Sequence, residues 1–102
     1  MVKVELNDQT RETIIPHLKQ LIENVNKGGV PAYEKEVSRL QASKDMYHEK
    51  GNDSGSWEDE QFYNILINLN HNEKVQRSIG TAQHRDELIH ALEKELNRLE
   101  QQ

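Results

Sequence analysis

The five histidines are the residues of this chain best suited to bind a metal or to move a proton. A helical zinc site needs two ligands four residues apart on one face, and no two of these histidines have that spacing. The nearest group is His84, Glu87 and His90, at successive steps of three, which share a helix side only loosely. The histidines are His17, His48, His71, His84 and His90. We therefore expect exposed polar positions and neither a metal nor another cofactor.

The sequence also shows no residue pattern that is typical of a catalytic site. The chain contains no cysteine, so it offers no thiol nucleophile, and its serines lie outside any nucleophile-elbow motif. Acid–base catalysis by paired carboxylates needs environments that separate their pKa values, whereas the Asp and Glu residues here lie among Lys and Arg. Gly28-Gly29 is too short for a phosphate loop. These patterns predict a protein that is not an enzyme and has no catalytic residues.

Charge and hydropathy narrow the classes of partner. The net charge is −5 and no basic stripe exists, so we expect no binding to nucleic acid. No run of about 18 apolar residues is present, so we expect no insertion into a membrane. The first residues, "MVKVELNDQT", do not resemble a cleaved signal peptide. We expect a cytoplasmic protein, or one exported without a cleaved signal.

The spacing of apolar residues predicts two helical arms within a single domain of residues 1–102. The first arm, about 8–49, follows candidate caps at Asn7, Asp8 and Thr10 and is kinked or broken at residues 28–31. The turn residues of 50–56 end it. The second arm, about 57–101, contains no proline and only Gly80, so we expect one long helix. Its ending, "LEKELNRLEQQ", is typical of a coiled coil.

The predicted fold class is therefore all-α: an antiparallel helical hairpin with a kinked or broken first arm and a long second helix. Only 33% of the residues are apolar and the mean hydropathy is −0.98, which leaves a modest core. We therefore expect another chain to cover part of the apolar stripe and to complete a bundle. The stripe that would bind this partner consists of Ile14, Leu18, Leu21, Val25, Ile65, Leu69, Ile79, Leu92, Leu96 and Leu99.

The stretch "GSWEDEQF", from Gly55 to Phe62, joins the two arms and holds the only Trp and the only Phe. Ser56 is placed to cap the second arm, and Asp59 takes the place that Glu or Gln fills in a capping box. Trp57 and Phe62 are large enough to close the tip of the hairpin against Met46 and Tyr47. The alternative is that the tip is also a docking surface.

This turn resembles that of the WXG-type family of type VII (ESX) secretion in Gram-positive bacteria. In that family Trp-x-Gly opens the second helix of a small hairpin and a Phe follows. The chain departs from the motif because Asp59 replaces the glycine, and no Tyr-x-x-x-Asp/Glu export signal follows the second arm. Among the family's members, the chain is more similar to the small helical partners of LXG toxins than to the core secreted substrates.

The resemblance implies a non-enzymatic partner or targeting factor. It would bind the helical domain of a toxin, or another small WXG-like protein. Two alternatives stay open from the residues. One is an acidic inhibitor, such as an antitoxin, an immunity protein or a phage regulator, whose binding would weaken with salt. The other is a coiled-coil scaffold that associates with itself as a homodimer.

Overall fold

The computed structural model describes residues 7–50 and 56–101, and every regular element in these ranges is an α-helix. The five helices are α1 Asp8–Gly28, α2 Val30–Lys50, α3 Trp57–Leu69, α4 Glu73–Ser78 and α5 His84–Glu100. The all-α prediction is confirmed. None of these helices is both long enough and apolar enough to cross a bilayer.

The first arm begins and breaks where local chemistry predicts. The Asn7 side chain accepts a hydrogen bond from the Thr10 N–H at 2.8 Å and so caps α1. The helix continues through Pro16 to Gly28. Gly29 then has a φ of +77°, a conformation that glycine adopts without strain, and its N–H donates to the Val25 carbonyl at 2.8 Å. The interruption is therefore a break one residue long.

The prediction of one long second helix is wrong, because this arm consists of α3, α4 and α5. The Asn72 side chain accepts from the N–H groups of Lys74 and Val75, at 2.9 and 3.3 Å, and so starts α4 as a new helix. After α4, Gly80 has a φ of +81°, which continues no right-handed helix. Asparagine side chains compete with helical hydrogen bonds, and glycine stabilises helices poorly, so both breaks have local causes.

The five helices pack around one core instead of forming an extended hairpin. Helix α1 packs against α2 and α5, α2 packs against α3, and α4 packs against α5. The molecule measures 40 × 29 × 26 Å with a radius of gyration of 13.5 Å. A compact domain of about 100 residues has a radius near 13 Å, whereas a 45-residue helix alone would be roughly 67 Å long. The breaks in the second arm therefore let the chain fold back on itself.

Gly80 allows a direct test of the second break. We expect Gly80→Ala to lower the free energy of unfolding by about 1 kcal/mol, because a left-handed φ is strained for alanine. An added Cβ would meet nothing within 4 Å, so the backbone alone should cause the loss. Gly28→Ala is the control. Gly28 is helical, so alanine there should leave stability unchanged or raise it. Equal effects in urea unfolding would contradict the assigned role of Gly80.

Candidate functional site

The structure places nearly all of the predicted apolar stripe inside the chain itself. Eight of its ten members are buried, Leu96 is partly buried against the same core, and Ile79 alone is exposed, at 64%. The eight buried members are Ile14, Leu18, Leu21, Val25, Ile65, Leu69, Leu92 and Leu99. A partner could reach the eight buried members only if the helices separated, so Ile79 is the one exposed member of the stripe. The coiled-coil leucines of α5 likewise belong to the internal core.

The turn motif builds a partly buried polar link between α2 and α3. Ser56 caps α3, because its hydroxyl oxygen accepts from the Asp59 N–H at 3.0 Å. The Ser56 N–H donates to the hydroxyl oxygen of Ser43 at 3.3 Å, and that hydroxyl donates to the Asp59 carboxylate at 2.8 Å. We call these three residues the Ser43 relay. Ser43, a residue of α2, thus completes the capping box that Asp59 cannot complete alone.

Further side-chain contacts link the same helix pair around the Ser43 relay. Arg39 lies 3.6 Å from the Asp59 carboxylate, and His48 is paired with Glu60. Arg39 also donates to Glu36 at 2.5 Å, and this hydrogen bond raises the pKa of the guanidinium. These contacts hold α2 against the start of α3. The residues between the two helices, 51–55, include Gly55 of the turn motif and lie outside the described residues.

The two aromatic rings of the motif have different surroundings. Phe62 is buried in the core at 2% exposure, whereas Trp57 is only partly buried. Met46 is 38% exposed. The packing of both rings against Met46 and Tyr47 stays a prediction, but Phe62 belongs to the core and so cannot serve as a docking residue. Trp57 keeps part of its ring at the surface.

The histidines do not assemble a metal site in the part of the chain that the structure describes. No three His, Asp or Glu side chains there are close enough together to hold a metal ion. His84 instead contacts Ser78 through Nδ1, at 2.9 Å from the hydroxyl oxygen. The Ser78 hydroxyl donates its single hydrogen to the Val75 carbonyl at 2.7 Å. The imidazole must therefore donate to Ser78 from Nδ1, the reverse of a Ser–His pair that activates a nucleophile.

A surface groove of about 380 Å³ lies beside α2, and we call it the α2 groove. One wall is the first half of α2. The other wall is formed where α3 and α4 end and α5 begins. The lining residues are Val30, Tyr33, Glu34, Val37, Ser38, Asn70, Ile79 and His84. Apolar side chains with a few polar groups at the rim are typical of a binding groove.

Tyr33 anchors the floor of the α2 groove. Its hydroxyl donates to the Leu66 carbonyl at 2.9 Å, which joins α2 to α3 beneath the groove. The side chain is 6% exposed, and burial raises the pKa of Tyr33 to about 12. The floor is therefore a fixed part of the fold, and the residues free to meet a ligand are those at the rim.

The buried Tyr33 predicts a loss of stability in alkali. Below the ordinary pKa of 10.0 both folded and unfolded chains keep the phenol proton. Between about pH 10 and pH 12 the unfolded chain loses this proton while the folded chain retains it, so unfolding becomes easier. From about pH 9 to pH 11 the wild type should lose about 1 kcal/mol more than Tyr33→Phe, measured by urea unfolding. Parallel losses in the two proteins would show that Tyr33 ionises as freely in the folded state.

The rim of the α2 groove is rich in hydrogen-bond acceptors and contains no cation. None of the lining residues is Lys or Arg. Glu34 is exposed, and it forms no ion pair with the residues that the structure describes. When the His84 ring is neutral, donation through Nδ1 leaves Nε2 as an acceptor. This rim could not be predicted from the sequence, because the second wall exists only where the expected long helix breaks.

No protein-family model, no curated protein and no solved structure matches this chain. Its function is therefore inferred from the chemistry of the α2 groove and of the surfaces around it.

Proposed function

We propose that this protein is a non-enzymatic interaction protein that binds a helical segment of a partner protein. The observation that carries this proposal is the α2 groove, in which Val30 and Val37 line an open apolar channel beside the exposed Ile79. An amphipathic helix commonly binds by laying its apolar face into a groove of this kind. A partner that covers Ile79, at the edge of the groove, would remove apolar surface from water and so gain binding free energy.

A more specific form of the proposal is a WXG-like partner or targeting factor in type VII secretion. It is supported by the Ser56 cap at the start of α3 and by the following Trp57 and Phe62, the features that resemble the family's turn. Two findings count against it. The second arm is three helices, and the carboxylate at the motif's glycine position accepts a hydrogen bond from Ser43, which a glycine could not do.

The test is purification of the tagged protein from its source cells, followed by mass spectrometry of whatever binds in stoichiometric amount. A protein with a long helical N-terminal region and a separate toxic domain would support the type VII form. Recovery of the bait alone would contradict a partner-binding function and favour a self-associating scaffold. The groove variant Ile79→Ser should be purified in parallel, since loss of the partner from this variant would assign the contact to the α2 groove.

An acidic inhibitor is the second candidate, favoured by the net charge of −5. Its partner would be a basic enzyme whose active site it blocks. Electrostatic attraction would then supply most of the affinity, so binding should weaken strongly as salt is raised. An interface dominated by the apolar groove should weaken much less over the same range, because salt does not screen its apolar contacts. Titration of the purified complex at low and at high salt separates the two candidates.

A further inference from the structure

We propose that the α2 groove takes a basic amphipathic helix, with apolar side chains on Ile79 and Val37 and a lysine or arginine directed to Glu34. This inference rests on the proposed function and names the chemistry of the partner. The ligand class follows from three separate properties of the groove: its apolar channel, its acceptor-rich rim and its lack of any cation.

The apolar channel accounts for the amphipathic part of the ligand. Val30 and Val37 lie two turns apart on α2 and are partly exposed, while Ile79 projects from the C-cap of α4 at 64% exposure. Helical side chains at i, i+3, i+4 and i+7 form a stripe of matching length. The same stripe would cover Ile79 and both valines together, which no single inserted side chain could do.

The charges at the rim account for the basic part. Glu34 forms no ion pair among the described residues, so binding a cation there would break no existing pair. Nε2 of His84, on the opposite wall, is a second acceptor when that ring is neutral. Lysine and arginine side chains are donors without acceptors, and they fit this rim better than any other charged group. The net charge of −5 would also attract a basic segment from a distance.

The same charges disfavour the other occupants of an apolar groove. A second copy of this chain would bring another net charge of −5 and another Glu34 carboxylate to the interface. An acidic helix would place carboxylates against acceptors, an arrangement that costs free energy on both sides. A basic helix alone satisfies the channel and the rim at once.

The experiment uses two synthetic peptides with leucines at i, i+3, i+4 and i+7, one with lysine and one with glutamate at the remaining positions. Each is titrated into the isotope-labelled full chain, and backbone amide shifts are followed by NMR. The lysine peptide should move the amides of residues around the α2 groove, and the glutamate peptide should not bind. Binding of both peptides alike, shifts centred on another surface, or no binding at millimolar concentration would each overturn the inference.

Two variants separate the apolar contribution to binding from the contribution of charge. Ile79→Ser should weaken binding of the lysine peptide about tenfold, since it removes one large apolar contact. Glu34→Gln should weaken it about threefold, the effect of one exposed ion pair. Glu12→Gln is the charge-matched control, because Glu12 is exposed and far along α1 from the groove. It lies about 24 Å from Gly28, the end of α1 that adjoins the start of α2. An equal effect of both glutamine variants would reduce the attraction to net charge and would contradict a specific role for Glu34.

Failure of the groove inference can be distinguished from failure of the proposed function. If a natural partner is purified and binds Ile79→Ser and Glu34→Gln as tightly as the wild type, the groove inference fails while the interaction function stands. If no partner is found but the lysine peptide binds the α2 groove with the expected variant effects, the chemistry of the groove is established and the proposed function fails.

Discussion

Replacing Leu92 with alanine is expected to lower the free energy of unfolding by about 2–5 kcal/mol. Leu92 is fully buried, at 0% exposure, on the face of α5 that packs into the core. Truncation removes apolar contacts and leaves a cavity that the neighbouring helices can close only in part. Domains of this size are stable by about 5–15 kcal/mol in total. Urea unfolding followed by circular dichroism should therefore show a large drop in midpoint.

The matched control is Ile79→Ala, because both residues belong to the apolar stripe of the second arm. Ile79 is 64% exposed, so its truncation should change stability by no more than about 0.5 kcal/mol. The pair therefore separates core residues from surface residues within one sequence pattern. If Leu92→Ala left the unfolding midpoint unchanged, Leu92 would face a partner, as the sequence pattern alone suggests, and the internal core would be wrong.

The parts of the fold that depend on neighbours in sequence could be predicted. Side-chain caps and glycine turns act over three or four residues, so local sequence placed Asn7 among three candidate caps, the break within residues 28–31 and Ser56 at the cap of the second arm. Three ion pairs also form between residues three or four apart, which lie on the same face of a helix. These are Glu23–Lys27, Glu73–Arg77 and Glu95–Arg98. The first two pairs are exposed and Glu95 of the third is partly buried. Each pair contributes only a few tenths of a kcal/mol to its helix.

The second arm could not be predicted from apolar spacing alone. The absence of proline favoured one long helix, although the stripe thins at residues 68–73 and Gly80 follows. Asn72 caps a new helix there, and a single capped start outweighs the weak helical preference of the surrounding polar residues. The chain can then fold back, and its apolar residues cover one another without a second chain.

The α2 groove and the Ser43 relay could not be predicted from the sequence, because each joins residues that are far apart along the chain. The α2 groove pairs the start of α2 with residues more than thirty positions later. Ser43 lies 16 residues before Asp59, and nothing in the local sequence marks it as a buried polar residue. Only the packing of α2 on α3 brings the two side chains together. Contacts of this kind require the tertiary fold.

Ser43→Ala tests the relay and is expected to lower the free energy of unfolding by about 1–3 kcal/mol. Ser43 is 8% exposed, and its hydroxyl both accepts from the Ser56 N–H and donates to the Asp59 carboxylate. Alanine would leave both groups without this partner where α2 meets α3. Ser38→Ala is the control on the same helix. Ser38 is exposed, and alanine favours helices, so its stability should stay within about 0.5 kcal/mol of the wild type.

A double-mutant cycle shows whether the lost stability belongs to the contact between Ser43 and Asp59. Asp59→Ala alone removes the acceptor of the Ser43 hydroxyl and the nearby charge that faces Arg39. If the relay is a unit, Asp59→Ala should cost much less in the Ser43→Ala background than in the wild type, with a coupling of about 1 kcal/mol. Losses that add to within about 0.3–0.5 kcal/mol would mean that the two side chains act independently. In that case α2 and α3 would be held together by the core around Phe62 without help from the relay.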